Sequence, residues 1–192
     1  MSPIQGSRTG GRSARVQQSV HRAVRELQAE RSRGELSVPL IAQRAGVTPS
    51  TIYRRWGDLQ ELFADVAVER LRPDTPTADT GALASDLEAW ARQYLEEMSS
   101  TPGRAYVRDV LASDTGYGNA GRCCEYAREQ IGAMLDRAAV RGESAPDTDA
   151  VVDHLVAPMM YRILFAPDTP TEEWVTGLVQ GLLESGATGR RS

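Results

Sequence analysis

The sequence predicts an all-α chain with an N-terminal three-helix helix-turn-helix domain and a larger C-terminal helical domain, and three observations carry that reading. Apolar residues recur every three or four positions through most of the 192 residues, with no strand-like alternation. Two short segments with their own start signals, VPLIAQRA and PSTIYRRW, meet around Gly46. The segment RPDTPTADTG, with Pro73 and Pro76, breaks the pattern between the two halves. The expected division is 1–13 as a disordered basic arm, 14–60 as the helix-turn-helix domain, 61–186 as the regulatory and dimerisation domain, and 187–192 as a tail.

Residues 1–13 are rich in Gly, Ser and Arg and lack periodicity. They read either as a solvated tail or as an arm whose Arg8 and Arg12 follow a nucleic-acid backbone. From Ala14, Val16, Val20, Val24 and Leu27 share one face while Arg15, Arg22 and Arg25 sit elsewhere, so a first helix runs to about Arg33 and Gly34. Ser37 is an N-cap candidate for the second helix, with Pro39 allowed in its first turn. Leu40, Ile41, Ala42 and Ala45 give that helix a short apolar face. Gly46 ends it by taking the left-handed conformation, and Val47 plugs the turn. Thr48 then caps a third helix and Pro49 fits its first position, leaving Ser50 to Trp56 helical with Ile52 and Trp56 on the inner face. Ser50, Thr51, Tyr53, Arg54 and Arg55 remain outside. A two-turn helix with polar and aromatic tips fits the major groove of double-stranded DNA.

Charge supports the same partner. From Met1 to Gly57 there are ten arginines and three glutamates, a net of +7, whereas the rest carries twelve arginines against 23 acids, a net of −11. A polyanion is drawn to the first third and repelled by the remainder. All basic residues are arginine, a bias expected of a GC-rich bacterial genome that also suits bidentate contacts.

After Gly57, Asp58 caps a long helix with Leu59, Leu62, Phe63, Val66 and Leu71 on one stripe. Beyond the proline-rich loop, Leu83, Leu87, Trp90, Tyr94 and Met98 define a helix, Tyr106, Val107, Val110 and Leu111 another, and Ala120 to Arg141 a third with Cys124, Ala127, Ile131, Met134, Leu135 and Ala138 on one side. Asp147 to Phe165 is apolar on more than one face, and Pro158 predicts a bend within it. The last helix, Thr171 to Ser185, has an equally wide stripe. Its Gly177 and Gly181 would let another helix approach closely. A homodimer is expected through Val156, Met160, Ile163, Leu164, Trp174, Gly177, Leu178, Gly181 and Leu182; the alternative is that both helices are the core of a monomer.

Trp90, Tyr94, Tyr106, Tyr126, Met134, Met159 and Tyr161 form a candidate lining for a pocket that holds a small hydrophobic effector, though each is also an ordinary core residue. Cys123 and Cys124 are adjacent in a helix, too divergent for an easy disulfide, and offer a thiol- or redox-sensing alternative in which only Cys124 lies on the apolar stripe. His21 and His154 are far apart, and no His or Cys cluster has metal-ligand spacing, so neither a metal nor a cofactor is expected. The rival class is a helical-bundle enzyme. Glu96 with Glu97 and Glu172 with Glu173 are surface pairs, and no nucleophile–base pair or Gly-rich phosphate loop appears. No apolar run approaches the roughly 20 residues of a membrane span, and the N-terminus lacks the apolar centre of a signal peptide, so a cytoplasmic protein is expected.

The string IAQRAGVTPSTIYRRWGDLQELF, Ile41 to Phe63, resembles the signature of the TetR (tetracycline-repressor) family of bacterial transcription regulators, and HLVAPMMYRILF, His154 to Phe165, looks like the penultimate helix of many members. The resemblance implies a homodimeric repressor released from operator DNA by an effector, with the helix after Asp58 transmitting the change. It puts Thr48 and Pro49 at the start of the recognition helix, Ser50, Thr51 and Tyr53 facing the groove, and Arg54 and Arg55 within reach of base edges or backbone. Ser37 falls where a phosphate is met, and Trp56 where an aromatic is buried. One departure is visible: Leu59 stands where the family usually has a phosphate-contacting lysine, so that contact is expected to pass to Arg54 or Arg55.

Overall fold

The structure is a computed structural model describing residues 10–113, 117–166, 168 and 170–188, and the secondary structure among them is helical throughout. Helices α1 (Gly10–Glu30), α2 (Val38–Ala45) and α3 (Pro49–Trp56) make the head. Helix α4 (Leu59–Leu71) leads from it to α5 (Leu83–Ser99), α6 (Thr101–Leu111), α7 (Tyr117–Val140), α8 (Thr148–Val151), α9 (Ala157–Phe165) and α10 (Glu172–Thr188).

The head closes around Val20, Val24 and Leu27 of α1, Ile41 of α2, Ile52 and Trp56 of α3, and Leu62, Phe63 and Val66 of α4. Gly46 adopts φ +69°, the left-handed conformation the turn requires. Ser37 and Thr48 occupy their N-cap positions, but neither side chain makes a capping hydrogen bond; both helices carry a proline in the first turn instead. Asp58 does cap α4, accepting from the Glu61 N–H at 2.9 Å.

The ends of α1 correct the expectation. It begins at Gly10, so residues 10–13, assigned to the arm, are helical, while residues 1–9 with Arg8, and the Arg12 side chain, lie outside what the structure describes. It ends at Glu30, and Arg33–Glu35 forms a separate 3-10 turn closed by the Ser32 N–H donating to Glu35 Oε2 at 2.9 Å.

The larger domain is built on Leu83, Leu87 and Trp90 of α5, Ile131 and Met134 of α7, Leu155, Met159 and Ile163 of the penultimate segment, and Val175 and Val179 of α10. The expected bend at Pro158 takes the form of one π-helical turn, Val152–Val156, between α8 and α9, in which the Ala157 N–H reaches back to the Val152 carbonyl. The wider turn carries the backbone past a proline that has no N–H to donate. A third apolar cluster, Ala67 and Val68 of α4 with Val110 of α6, joins the domains; Tyr106, Cys123 and Tyr126 pack at its edge.

Two local devices set the walls of the interior. Buried Asp86 accepts from the Thr80 N–H and hydroxyl, each at 2.7 Å, and pairs with Arg141 at 3.2 Å, pinning the loop before α5 to α7. At the α5–α6 corner Ser100 Oγ accepts from the Gly103 N–H at 3.0 Å and donates to the Glu97 carbonyl at 2.7 Å. Gly103 is forced there, because a Cβ would fall inside the van der Waals shell of the Glu97 carbonyl oxygen.

Candidate functional site

Helix α3 buries Ile52 and Trp56 and turns Ser50, Tyr53, Arg54 and Arg55 to solvent, with Thr51 half-buried. Tyr53 is half exposed, unusual for so large a side chain. Thr48 Oγ1 lies 2.9 Å from Ser50 Oγ and 3.0 Å from Thr51 Oγ1, a cluster of hydroxyls at the helix N-terminus, where unpaired N–H groups and the helix dipole favour an anion. Pro49, in the first turn of α3, and Ser37, the N-cap of α2, are exposed. The eight expected DNA-contacting residues thus fall on α3 and its N-cap Thr48, and on Ser37, the N-cap of α2.

The two arginines divide. Arg55 turns back to α1, donating to Ser13 Oγ at 2.6 Å and Gln17 Oε1 at 2.5 Å, with its guanidinium 5.2 Å from the Trp56 ring centre. It ties the recognition helix to the first helix. Arg54 stays on the exposed surface.

Beneath α3 lies a network that the sequence did not reveal. Asp65 of α4 accepts from Trp56 Nε1 at 2.8 Å, from Gln17 Nε2 at 3.2 Å and from Arg122 of α7 at 2.6 Å, and its Oδ2 lies 2.8 Å from His21 Nε2. Burial raises the Asp65 pKa, but the hydrogen bonds from His21, Trp56 and Arg122 outweigh it and hold the carboxyl well below the usual range. One carboxylate thus fixes the end of α3, the middle of α1 and the start of α7. A second bridge joins Arg33, in the turn after α1, to Asp109 of α6; Arg33 also donates to Gln60 at 3.1 Å and covers the Phe63 ring at 4.4 Å. Burial pushes the Asp109 carboxyl up, despite the Arg33 charge beside it.

A cavity of about 460 Å³ lies between the α4–α5 loop, α5, the start of α6 and α7. Four of the seven expected ligand-lining residues meet there: Trp90, Tyr94, Tyr106 and Tyr126. The Trp90 and Tyr94 rings stack at 5.1 Å, and Trp90 Nε1 donates to Gln130 Oε1 at 3.0 Å. The other three do not line it. Met134 and Met159 are fully buried core, and Tyr161 is 65% exposed, packed on Phe165 at the surface. Gln93, Glu97, Gln130, Met98 and Cys123 are among the further wall residues that were missed, although Gln130 follows Tyr126 by four positions and so shares its face. The thiols also correct the register: Cys123 is half-buried and faces the interior, with burial pushing its pKa up, while Cys124 is exposed.

On the expected dimer surface, Val156, Met160, Leu164, Trp174 and Leu178 are half-buried, and Gly177 and Gly181 are exposed with open space where a Cβ would stand. Ile163 and Leu182 depart from the expectation, being filled into the subunit's own core. Among the described residues there is no His, Cys, Asp or Glu cluster able to hold a metal and no helix long and apolar enough to cross a membrane.

Head, exposed recognition helix and a separate hollow helical domain define a helix-turn-helix transcription regulator. Residues 22–66 match the family model for bacterial regulatory proteins of the tetR family, and residues 77–182 match that for the tetracyclin repressor-like C-terminal domain. The chain belongs to the TetR family. It is 29% identical over 150 residues to the HTH-type transcriptional regulator AqdR of Rhodococcus erythropolis, covering 76% of this chain and 72% of that one. It is 25% identical over 186 residues to the uncharacterized HTH-type regulator YdeS of Bacillus subtilis, covering 92% of each. The crystal structure of the TetR family transcription regulator SCO0332 superposes with a TM-score of 0.67 at 27% identity, covering 88% of this chain and 97% of that one.

Proposed function

We propose that the chain is a repressor that acts as a homodimer, places one α3 from each subunit in successive major grooves of a near-palindromic operator, and is released by a small, largely hydrophobic effector bound in the α5–α7 cavity. One observation carries the reading: Cys123 and Tyr126 of the cavity wall share α7 with Arg122, whose guanidinium holds the Asp65 carboxylate that holds Trp56 at the end of α3. A ligand that shifts α7 against α4 changes the seating of the recognition helix, and it can bias the equilibrium only through its different affinity for the two arrangements. Tyr53, Arg54, Ser50 and Thr51 meet the groove, and Ser37 with Thr48 meets phosphate. The thiol-sensing alternative is disfavoured by Cys123, whose raised pKa keeps it as the weakly nucleophilic thiol.

The test is capture and sequencing of genomic fragments by the pure protein, followed by titration of the recovered fragment by fluorescence anisotropy. Tight, salt-sensitive binding to a near-palindrome supports the reading; a well-folded protein that binds no fragment in a salt-dependent manner sinks it. Compounds suggested by the genes beside the recovered site then test release.

A further inference from the structure

We propose that the effector is an uncharged amphiphile whose aromatic head sits against Trp90 and whose alkyl chain enters a second, apolar chamber. The inference rests on the cavity reading above and specifies the ligand's shape. The second chamber, about 200 Å³, lies between α6, α7 and the π turn and is walled by Val107, Val110, Leu111, Val152, Val156 and Met160. It adjoins the first at Tyr94, Met98, Cys123 and Ala127, which line both.

The two chambers differ in chemistry. The first presents a stacked Trp90–Tyr94 pair, which favours a flat ring at offset-stacking distance. Gln130 spends its carbonyl oxygen on Trp90, leaving its amide N–H groups to donate. Tyr94 makes no hydrogen bond among the described residues, and burial keeps its hydroxyl protonated, so it too is a donor for a ring oxygen. Four exposed charged residues border this cavity: Arg70 in the last turn of α4, Arg72 and Asp74 on the α4–α5 loop, and Glu97 on α5. The second chamber offers no charged side chain and no amide; its polar groups are the Tyr94 hydroxyl and the thiols of Cys123 and Cys124. An ionised group carried past the charges of the first chamber into the second would lose its hydration without a partner. A saturated chain loses nothing there and gains about fourfold in affinity for each methylene taken from water. Since the chambers share a wall, one molecule with a ring and a chain satisfies both.

The experiment is calorimetric titration of the full chain with phenol and the 4-alkylphenols from methyl to octyl. Affinity is expected to rise about fourfold per methylene until the apolar chamber is full and then level off. Val152→Trp, which fills that chamber, should flatten the series while leaving 4-methylphenol binding unchanged; Ala120→Leu, on the opposite wall, gives the same readout should the first variant fail to fold. Gln93→Trp, on the exposed side of the aromatic chamber, should abolish binding of every compound. Affinity independent of chain length, absence of binding by any phenol, or a gradient that survives both chamber-filling variants overturns the amphiphile. Binding that survives Gln93→Trp overturns the cavity reading itself, and operator titration of the same samples reports separately on DNA binding.

Discussion

The guanidinium of Arg122 on α7 lies 2.6 Å from the Asp65 carboxylate on α4, and the next residue along α7, Cys123, lines the cavity. Asp65 also receives Trp56, so one side chain stands between the hollow domain and the recognition helix. Asp65→Asn replaces an acceptor of four contacts by a group with half the acceptor capacity and an N–H₂ aimed at other donors. It should destabilise the fold by about 2 kcal/mol and weaken operator binding at least about tenfold through misplacement of α3. Arg122→Gln leaves Trp56 and His21 in place and should retain most DNA affinity while losing most of the effector response. Urea unfolding and anisotropy titration check both; equal losses of DNA affinity in the two variants would refute this division of labour.

The same carboxylate predicts a pH dependence. Its pKa is depressed in the fold, so its contribution is fully present above the unfolded value of about 3.9 and is lost as pH falls through the lower folded value. The stability gap between wild type and Asp65→Asn should shrink as pH falls below about 4. Asp109 runs the other way. Its folded pKa is raised, so its charge costs stability at neutral pH and the cost is relieved as pH falls through the folded and then the unfolded value. Asp109→Asn should be neutral or stabilising at pH 7, within about 1 kcal/mol, although it breaks an ion pair with Arg33. Urea melts at three pH values read both signs.

Tyr53 and Arg54 are exposed on α3 with no hydrogen bond or ion pair among the described residues, whereas Arg55 is bound to α1. Tyr53→Ala and Arg54→Ala should each cost about 1–3 kcal/mol of operator binding with unchanged thermal stability. If Arg54 meets phosphate, its variant lowers the salt slope by about one and weakens all sequences alike; if it reads a base, it relaxes preference at one position. Arg55→Ala should lower head stability together with DNA affinity. Thermal melts beside anisotropy titrations distinguish the three.

These residues also mark what the sequence discloses. Gly46, Pro49, Asp58 and the Ile52–Trp56 spacing are local signals, and the head they imply is present to within a few residues. The Asp65 network joins positions 44 and 57 residues apart, and helical periodicity carries no information on which α1 and α7 side chains face α4. Periodicity equally cannot separate a side chain facing a filled core from one facing a hole: Trp90 and Tyr94 border the cavity, Met134 on a comparable stripe does not. Cys123 and Cys124 differ by about 100° around α7, so that Cys123 borders both chambers and the more exposed Cys124 only the apolar one.

Gly103 is a position where no other residue fits. Its Cα faces the Glu97 carbonyl at the α5–α6 corner, and Gly103→Ala must push the two helices apart or break the Ser100 cap. Overpacking against backbone of this kind costs about 1–3 kcal/mol. Because the corner also forms part of the cavity wall, ligand affinity should fall together with the melting temperature, which calorimetry on the variant measures.

Gly177 and Gly181 support the opposite expectation and test the dimer. Each is exposed on α10, with open space around an added Cβ, so within one subunit a larger residue is free to replace it. Glycine inside a helix is about 1 kcal/mol poorer than alanine, and leucine is close to alanine, so the isolated subunit should gain from Gly177→Leu. The only penalty available is steric and lies between copies: if α10 of a second subunit packs at these glycines, leucine holds the helices apart. Sedimentation of Gly177→Leu and Gly181→Leu should therefore show a monomer that is as helical as the wild type, with operator binding weakened because two half-sites are no longer engaged by one particle. A stable dimer carrying both leucines would place the subunit contact elsewhere on the chain.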